Sequence, residues 1–474
     1  MRNRLHSLFD RDFFRGVLAI GMPVAVQTLL TSSLSLIDSL MIGSQGELAL
    51  AAVGVAGQFG TLLFSAYWGL CCGGTMFFAQ YWGAQDMKGI RRAYGITLST
   101  MLLVSLIFTG LATLAPAWVM GVYTNVPAVQ QLGVRYLRIV GFAYIGQTLS
   151  VAVSALLRAT ENVKLPLFAS LAAIATNTFL NWVLIYGNLG MPAMGVEGAA
   201  IASVAAACVN LLVLILASVR QRNVVVTQLR DLLDVHWGFI KEFFAKATPI
   251  IANELFYGLA IMAVNAIMGR QGESNIAAMT IFRTLEGLIF AFFGGLANAS
   301  SVMVGKRVGA GDLRGAMADA KRFLVWCPLM TLLVCLAVLA LRPAILNLFD
   351  ISAAVRGTVM WMLVIYTFAS PLRTCNYIQV NTYRAGGESR MGMYFEIGGM
   401  WLITVPLVFL AGQVWHLPFL LVFGVMYTEE LVKLPLEMRY LFSARWIKPV
   451  TPEGRAALAA FRESALDSPS ASQS

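Results

Sequence analysis

The sequence predicts an all-α integral membrane protein of twelve transmembrane helices in two homologous six-helix bundles. Three observations carry that expectation. Of the 474 residues, 58% are hydrophobic and only 12% are charged, whereas a soluble domain carries about 25% charged residues. Stretches 98–119, 165–194, 198–219 and 323–341 contain no charged residue, and about 18 or more apolar residues in a row read as a membrane span. Finally, the two halves of the chain align without a gap at one fixed offset.

Taken in order, the chain opens with a segment 1–15 that mixes acids and bases. It is followed by an apolar stretch too long for a cleavable signal. Gly, Pro and charge punctuation then divides the apolar sequence into spans 16–42, 52–82, 94–120, 133–157, 165–187 and 196–219. A linker 220–242 leads to a second group at 243–268, 276–305, 323–347, 356–382, 391–412 and 416–441. This gives an N-terminal lobe 16–219, a C-terminal lobe 243–441 and a tail 442–474. The part of the tail after Thr451 is rich in Ser and Ala and reads as an amphipathic or disordered end.

Lys and Arg set the orientation. Arg2, Arg4, Arg11 and Arg15 precede the first span. Lys88, Arg91 and Arg92 follow the second, and Arg220, Arg222, Arg230, Lys241 and Lys246 lie around the linker. Lys306, Arg307, Arg314, Lys321 and Arg322 follow the eighth span, while the odd-numbered loops carry only Arg270 and Arg356. Basic residues favour the cytoplasmic side. Both termini are therefore expected in the cytoplasm, with the protein in the cytoplasmic membrane. The net charge of +10 is accounted for by topology and does not call for nucleic acid. The six cysteines all fall in apolar segments without metal-ligand spacing and read as small core residues.

The internal repeat has an offset of 226 residues. Pro23 falls on Pro249, Gly43-Ser-Gln-Gly-Glu47 on Gly269-Arg-Gln-Gly-Glu273, Gly83-Ala-Gln-Asp86 on Gly309-Ala-Gly-Asp312, and Arg158-Ala159 on Arg384-Ala385. Six helices per repeat is an even number, so both copies share one orientation. Parallel repeats of this kind are a transporter architecture with a site between the copies near mid-membrane. In the Gly-Ala-x-Asp loops, Gly supplies a helix stop and the short acid bonds free backbone groups. Gly54, Gly57 and Gly60 follow no strand, so they are read as close helix packing and not as a nucleotide loop.

Ionisable groups within spans are costly and call for a role. Asp38, in the first span, has no base within four positions, so it is a candidate to capture a proton or a sodium ion. Glu254, in the seventh span, has Asn253 and Tyr257 as neighbours and its nearest bases in sequence, Lys246 and Arg270, far along the helix. Arg283 and Glu286 are spaced i and i+3, and Glu429 and Lys433 i and i+4, so each pair can meet on one helix face. Glu430 is left without an obvious partner, and Glu396, near a span end, is expected to be hydrated. Asn177 and Asn181 share a face of the fifth span. Such amides either join helices or line a cavity.

These features resemble the multidrug and toxic compound extrusion (MATE) family. The resemblance rests on the paired openings Gly21-Met-Pro23 and Ala247-Thr-Pro249, on Asp38-Ser-Leu-Met-Ile-Gly43, on the Gly-Ala-x-Asp loops, and on Leu157-Arg-Ala and Tyr383-Arg-Ala-Gly-Gly-Glu388. It covers roughly residues 12–442. It implies two six-helix lobes around a central cavity and exchange of sodium or protons for organic, often cationic, compounds. It also implies cation coupling at Asp38. The family's helix-7 glutamate falls here about three residues beyond Glu254, at Tyr257, and the tenth span holds Arg373 and no acid.

The expected function is therefore efflux by a monomeric, cation-coupled antiporter without a cofactor. Asp38 is the coupling residue, and Glu254, Asn253, Tyr257, Asn177, Asn181 and Glu286 are candidates for binding substrate or ion. The alternative is a flippase for an anionic lipid-linked precursor, for which Arg135, Arg138, Arg283 and Arg373 would supply a basic cavity. An enzyme is disfavoured. The chain has three histidines and contains no His-Glu-x-x-His, Gly-x-Ser-x-Gly or phosphate loop.

Overall fold

The computed structural model describes residues 10–226, 236–347 and 351–466. Arg2, Arg4, Arg230 and the tail beyond residue 466, all used above, lie outside them. The described residues are helical throughout. In chain order the helices are α1 (Arg11–Gly43), α2 (Glu47–Gly83), α3 (Met87–Leu114), α4 (Pro116–Tyr123), α5 (Pro127–Ala159), α6 (Lys164–Tyr186) and α7 (Val196–Gln221). They continue as α8 (Trp237–Gly269), α9 (Glu273–Gly309), α10 (Leu313–Leu346), α11 (Ala353–Ala385) and α12 (Arg390–Val414). The last three are α13 (Phe419–Val425), α14 (Thr428–Phe442) and α15 (Pro452–Leu466). Part of the segment expected to be an amphipathic or disordered tail is thus the helix α15.

Among the described residues, eleven helices are long and apolar enough to cross a membrane. The twelfth expected span, 416–441, is broken at Met426–Tyr427 into α13 and α14. The charged residues of that span all fall in α14. Glu429, Glu430, Lys433 and Glu437 all lie on the buried face of α14. Helix α12 is wound with wider π turns at Gly399–Thr404 and Leu410–Val414. Gly399 lets it approach α14 closely, because a Cβ there would stand 2.8 Å from Glu429 Oε2.

The repeat is visible in the helix boundaries. α1 and α8, α2 and α9, and α5 and α11 begin and end on residues 226 apart, and α3 and α10 begin on the same register. Both Gly-Ala-x-Asp loops end a helix at their glycine, as expected. In the second copy Asp312 caps α10, its carboxylate accepting the Gly315 amide at 2.9 Å.

The chain forms two compact units. One holds Val26–Phe78 and the described residues of Met87–Phe244. The other holds the described residues of Met1–Ala25, Ala79–Asp86 and Ala245–Ser474. This partition differs from the expected lobes 16–219 and 243–441, because the first part of α1 and the last turn of α2 fall within the second unit. There the Phe13 ring meets Phe323 at 4.8 Å, and Gly21 lies against the Gly295 backbone.

In the first unit, small residues let helix backbones approach, as they do in membrane bundles generally. Gly146 faces Ala207, and Gly198 faces Leu184. Thr109 Oγ1 donates to the Gly141 carbonyl at 2.9 Å. Gly54 and Gly57 do not serve this purpose, since a Cβ at either would meet nothing within 4 Å. The core of the second unit is aromatic, with Phe282 edge-on to Tyr366 at 5.3 Å and to Phe423 at 4.9 Å.

Candidate functional site

The first unit carries the Asp38 site. α1 is rich in hydroxyls, and they are satisfied locally: Thr31, Ser33, Ser35 and Ser39 each donate to the carbonyl four residues earlier. That back-bonding leaves Asp38 as the group on this stretch that needs a partner from another helix. Asn181 of α6 supplies it. Its Nδ2 donates to Asp38 Oδ1 at 2.7 Å and to Asn177 Oδ1 at 3.0 Å. Asn181 Oδ1 is buried with no partner. Tyr136 of α5, bonded to Ser203, faces the same carboxylate.

Among the described residues no base pairs with Asp38. Its surroundings are oxygen acceptors together with one amide donor, which is the chemistry that receives a proton or a hard monovalent cation. Three of the expected residues, Asp38, Asn177 and Asn181, thus meet in one place. Tyr136 was missed because it lies 98 residues from Asp38 in sequence and only the fold brings it under the influence of that carboxylate.

In the second unit the expected candidates divide into two ion-pair groups. Arg384 Nη1 donates to Glu254 Oε1 at 2.9 Å, and its Nη2 lies 3.3 Å from Glu396 Oε2. Asn253 Nδ2 also donates to Glu396. Glu396 is therefore bonded within the protein instead of simply hydrated, and Glu254 is compensated by Arg384 of α11 and not by Asn253 or Tyr257. In the other group, Glu286 takes Arg283 at 2.7 Å and a short contact from Arg373. The Tyr257 hydroxyl lies 3.5 Å from the Arg373 guanidinium. Glu254 and Tyr257, neighbours in sequence, thus belong to different networks.

On α14, Lys433 Nζ stands 3.5 Å from both Glu429 and Glu430. Glu430, which had no obvious partner in the sequence, also accepts Asn376 Nδ2 at 2.6 Å. All six cysteines are free.

A profile of the MatE family matches residues 23–183 and 249–410, once in each repeat. The chain belongs to this family. Its members are transporters and not enzymes, and the chain is accordingly a multi-pass membrane transporter. Two curated relatives cover most of it. One is the "uncharacterized transporter YisQ" of Bacillus subtilis, 22% identical over 85% of this chain and 88% of its own length. The other is a "probable multidrug resistance protein NorM" of Bradyrhizobium diazoefficiens, 27% identical over 83% of this chain and 86% of its own.

Among solved structures, a mutant of the Vibrio cholerae MATE transporter VcmN superposes with a TM-score of 0.83 at 16% identity, over 93% of this chain and 99% of that one. A MOP-superfamily transporter from Pyrococcus furiosus superposes with a TM-score of 0.81 at 17% identity, over 93% and 98%. At these identities the likeness is one of fold.

Proposed function

We propose that the chain is a cation-coupled antiporter. It exports organic, cationic and amphipathic compounds across the cytoplasmic membrane in exchange for protons or sodium, by alternating access, with both termini in the cytoplasm. Small organic substrates and a monovalent coupling cation are its partners. The observation that carries this reading is Asp38, a carboxylate within a span that is held by the Asn181–Asn177 amides and meets no base among the described residues. Such a group is neutralised by capturing a cation. Membership in the family and the NorM-like relatives support the substrate class.

Glu254 and Glu286 act differently. Each already faces arginine, so each positions a network and does not bind the ion alone. The same pairings count against an anionic lipid-linked substrate. Arg283 and Arg373 are engaged by Glu286, and Arg135 lies 3.7 Å from Glu197. The deciding experiment imposes proton and sodium gradients separately on proteoliposomes loaded with fluorescent organic cations. Wild-type protein should export under at least one gradient, and Asp38→Asn should lose that gradient's effect. Undiminished ion-driven export by Asp38→Asn would end the coupling role. Competition by an anionic lipid-linked sugar, without competition by organic cations, would favour the flippase.

A further inference from the structure

The second unit buries an acid that nothing above uses. Glu437 of α14 has no solvent exposure, and neither of its carboxylate oxygens has a hydrogen-bond partner. More than about 90% of buried polar groups are partnered, so this atom pair requires an explanation. A second orphan lies nearby. Asn376 of α11 is 2% exposed, and its Oδ1 is also unpartnered although its Nδ2 bonds Glu430. Both of these orphans are acceptors, and beside them the buried Gln379 Nε2, whose Oε1 takes the Tyr383 hydroxyl, is a donor without a partner.

The charges agree. Lys433, Glu430, Glu396 and Glu429 are the charged groups that act on Glu437. From α11, Cys375 faces it, and the Tyr383 hydroxyl donates to its backbone carbonyl at 2.6 Å. Lys433 is already shared by Glu429 and Glu430, and Glu396 is held by Arg384 and Asn253. Among the described residues Lys433 is the positive group that acts on Glu437, and it is shared with Glu429 and Glu430, so the third acid around one ammonium is only partly compensated and takes a proton.

A cavity open to solvent lies on the same stretch of α14. Tyr440 lies three residues further along α14, on the same face, with its ring 5.2 Å from that of Tyr383. Tyr440 also lines a solvent-open cavity of about 880 Å³, whose wall includes Glu388, Arg390, Arg445 and Lys448.

We propose that Glu437 is a proton-binding site of the second unit, loaded from this cavity past Tyr440 and extended about one and two helical turns deeper by Lys433 and Glu430. On unloading, the carboxyl O–H bond breaks, the proton passes to cavity water, and the electron pair stays on Glu437, facing Lys433. The site's part in export rests on the ion-coupled reading above. Its existence does not, so the test uses neither substrate nor gradient.

Purified full-length protein in lipid nanodiscs is followed by infrared spectroscopy during a pH titration and during transfer from H₂O to D₂O. Wild-type protein should show a protonated-carboxyl band that shifts in D₂O and disappears as pH rises, and E437Q should lack that band. Y440F should keep it and slow its deuterium shift several-fold. The proposal fails if E437Q removes no titrating band, or if the band it removes neither titrates nor exchanges. Should E437Q not fold, Y440F decides, and an unchanged exchange rate overturns the proposal.

Discussion

Arg384 holds two acids brought from separate helices, Glu254 of α8 and Glu396 of α12. Removing one partner from a buried ion pair leaves an uncompensated charge, at a cost of about 3–5 kcal/mol. Arg384→Met is therefore expected to lower the melting temperature in detergent clearly, and adding Glu254→Gln should recover part of the loss. A single mutant that melts like wild type would show that this network does not hold α8, α11 and α12 together. The Asp38 site responds differently, because its partner is a neutral amide. Asn181→Ala removes a donor to a charged group, worth about 1.5–3 kcal/mol. The concentration of coupling ion needed for half-maximal export should then shift by about tenfold or more, together with a lower melting temperature because Asn177 Oδ1 also loses its donor. Asp38, Asn177 and Asn181 were legible in the sequence because each stands out against an apolar span. The partner of Glu254 was not, because Arg384 lies 130 residues away and reads in sequence as a loop base.

Among the elements, the segment after α14 explains a motif that the sequence showed only as a resemblance. In Tyr383-Arg-Ala-Gly-Gly-Glu388, Gly386 has no room for a Cβ beside the Trp446 ring, and Gly387 adopts φ 93°. The Lys448 amide donates to the Gly386 carbonyl at 2.7 Å, and Trp446 is fully buried with its Nε1 on the Leu441 carbonyl. Glu388 closes the contact. It accepts the Arg390 amide at the start of α12 at 3.0 Å and pairs with Lys448. Burial works to raise the Glu388 carboxyl, but the Lys448 ammonium and the α12 amides outweigh it and hold the group below its ordinary value of 4.5. A carboxylate lowered in the folded state stabilises above its unfolded pKa, and that contribution is lost as pH falls through the lowered value. Wild-type protein should thus lose melting temperature on acidification below the carboxylate range, and Lys448→Met should flatten that loss. An identical acid dependence in Lys448→Met would show that Glu388 owes its stabilisation to other groups. The glycines and the acid were visible in the sequence. The strap that uses them was not, because its residues, 446–451, read as the start of a tail.

Across the whole molecule the repeat dictates both the fold and its tightest crossing. One 226-residue register sets the bounds of three helix pairs, and this was legible because a duplicated sequence keeps its Gly and Pro punctuation. How the chain divides was not legible, because packing of the α1 and α2 ends depends on contacts distant in sequence. The equivalent glycines Gly83 and Gly309 show how those contacts are made. A Cβ on Gly83 would overlap the Lys306 carbonyl, and one on Gly309 would overlap the Gln80 carbonyl. Gln80 is fully buried there, its Nε2 donating to the Ala385 carbonyl at 2.7 Å and its Oε1 accepting the Val450 amide at 2.8 Å. Two backbones therefore touch where the repeat supplies a glycine on each side, so the helix-stop glycines are also contact glycines. If this crossing joins the N-terminal sequence to the rest of its unit, a chain cut between residues 226 and 236 and expressed as two fragments should copurify. Gly83→Val and Gly309→Val should each reduce the recovered complex strongly, because β-branched side chains would force the backbones apart. Gly54→Val, at a position where an added Cβ meets nothing within 4 Å, should leave recovery unchanged. Equal recovery of all three variants would mean that the crossing contributes little and that other contacts of α1 and α2 hold the fragments.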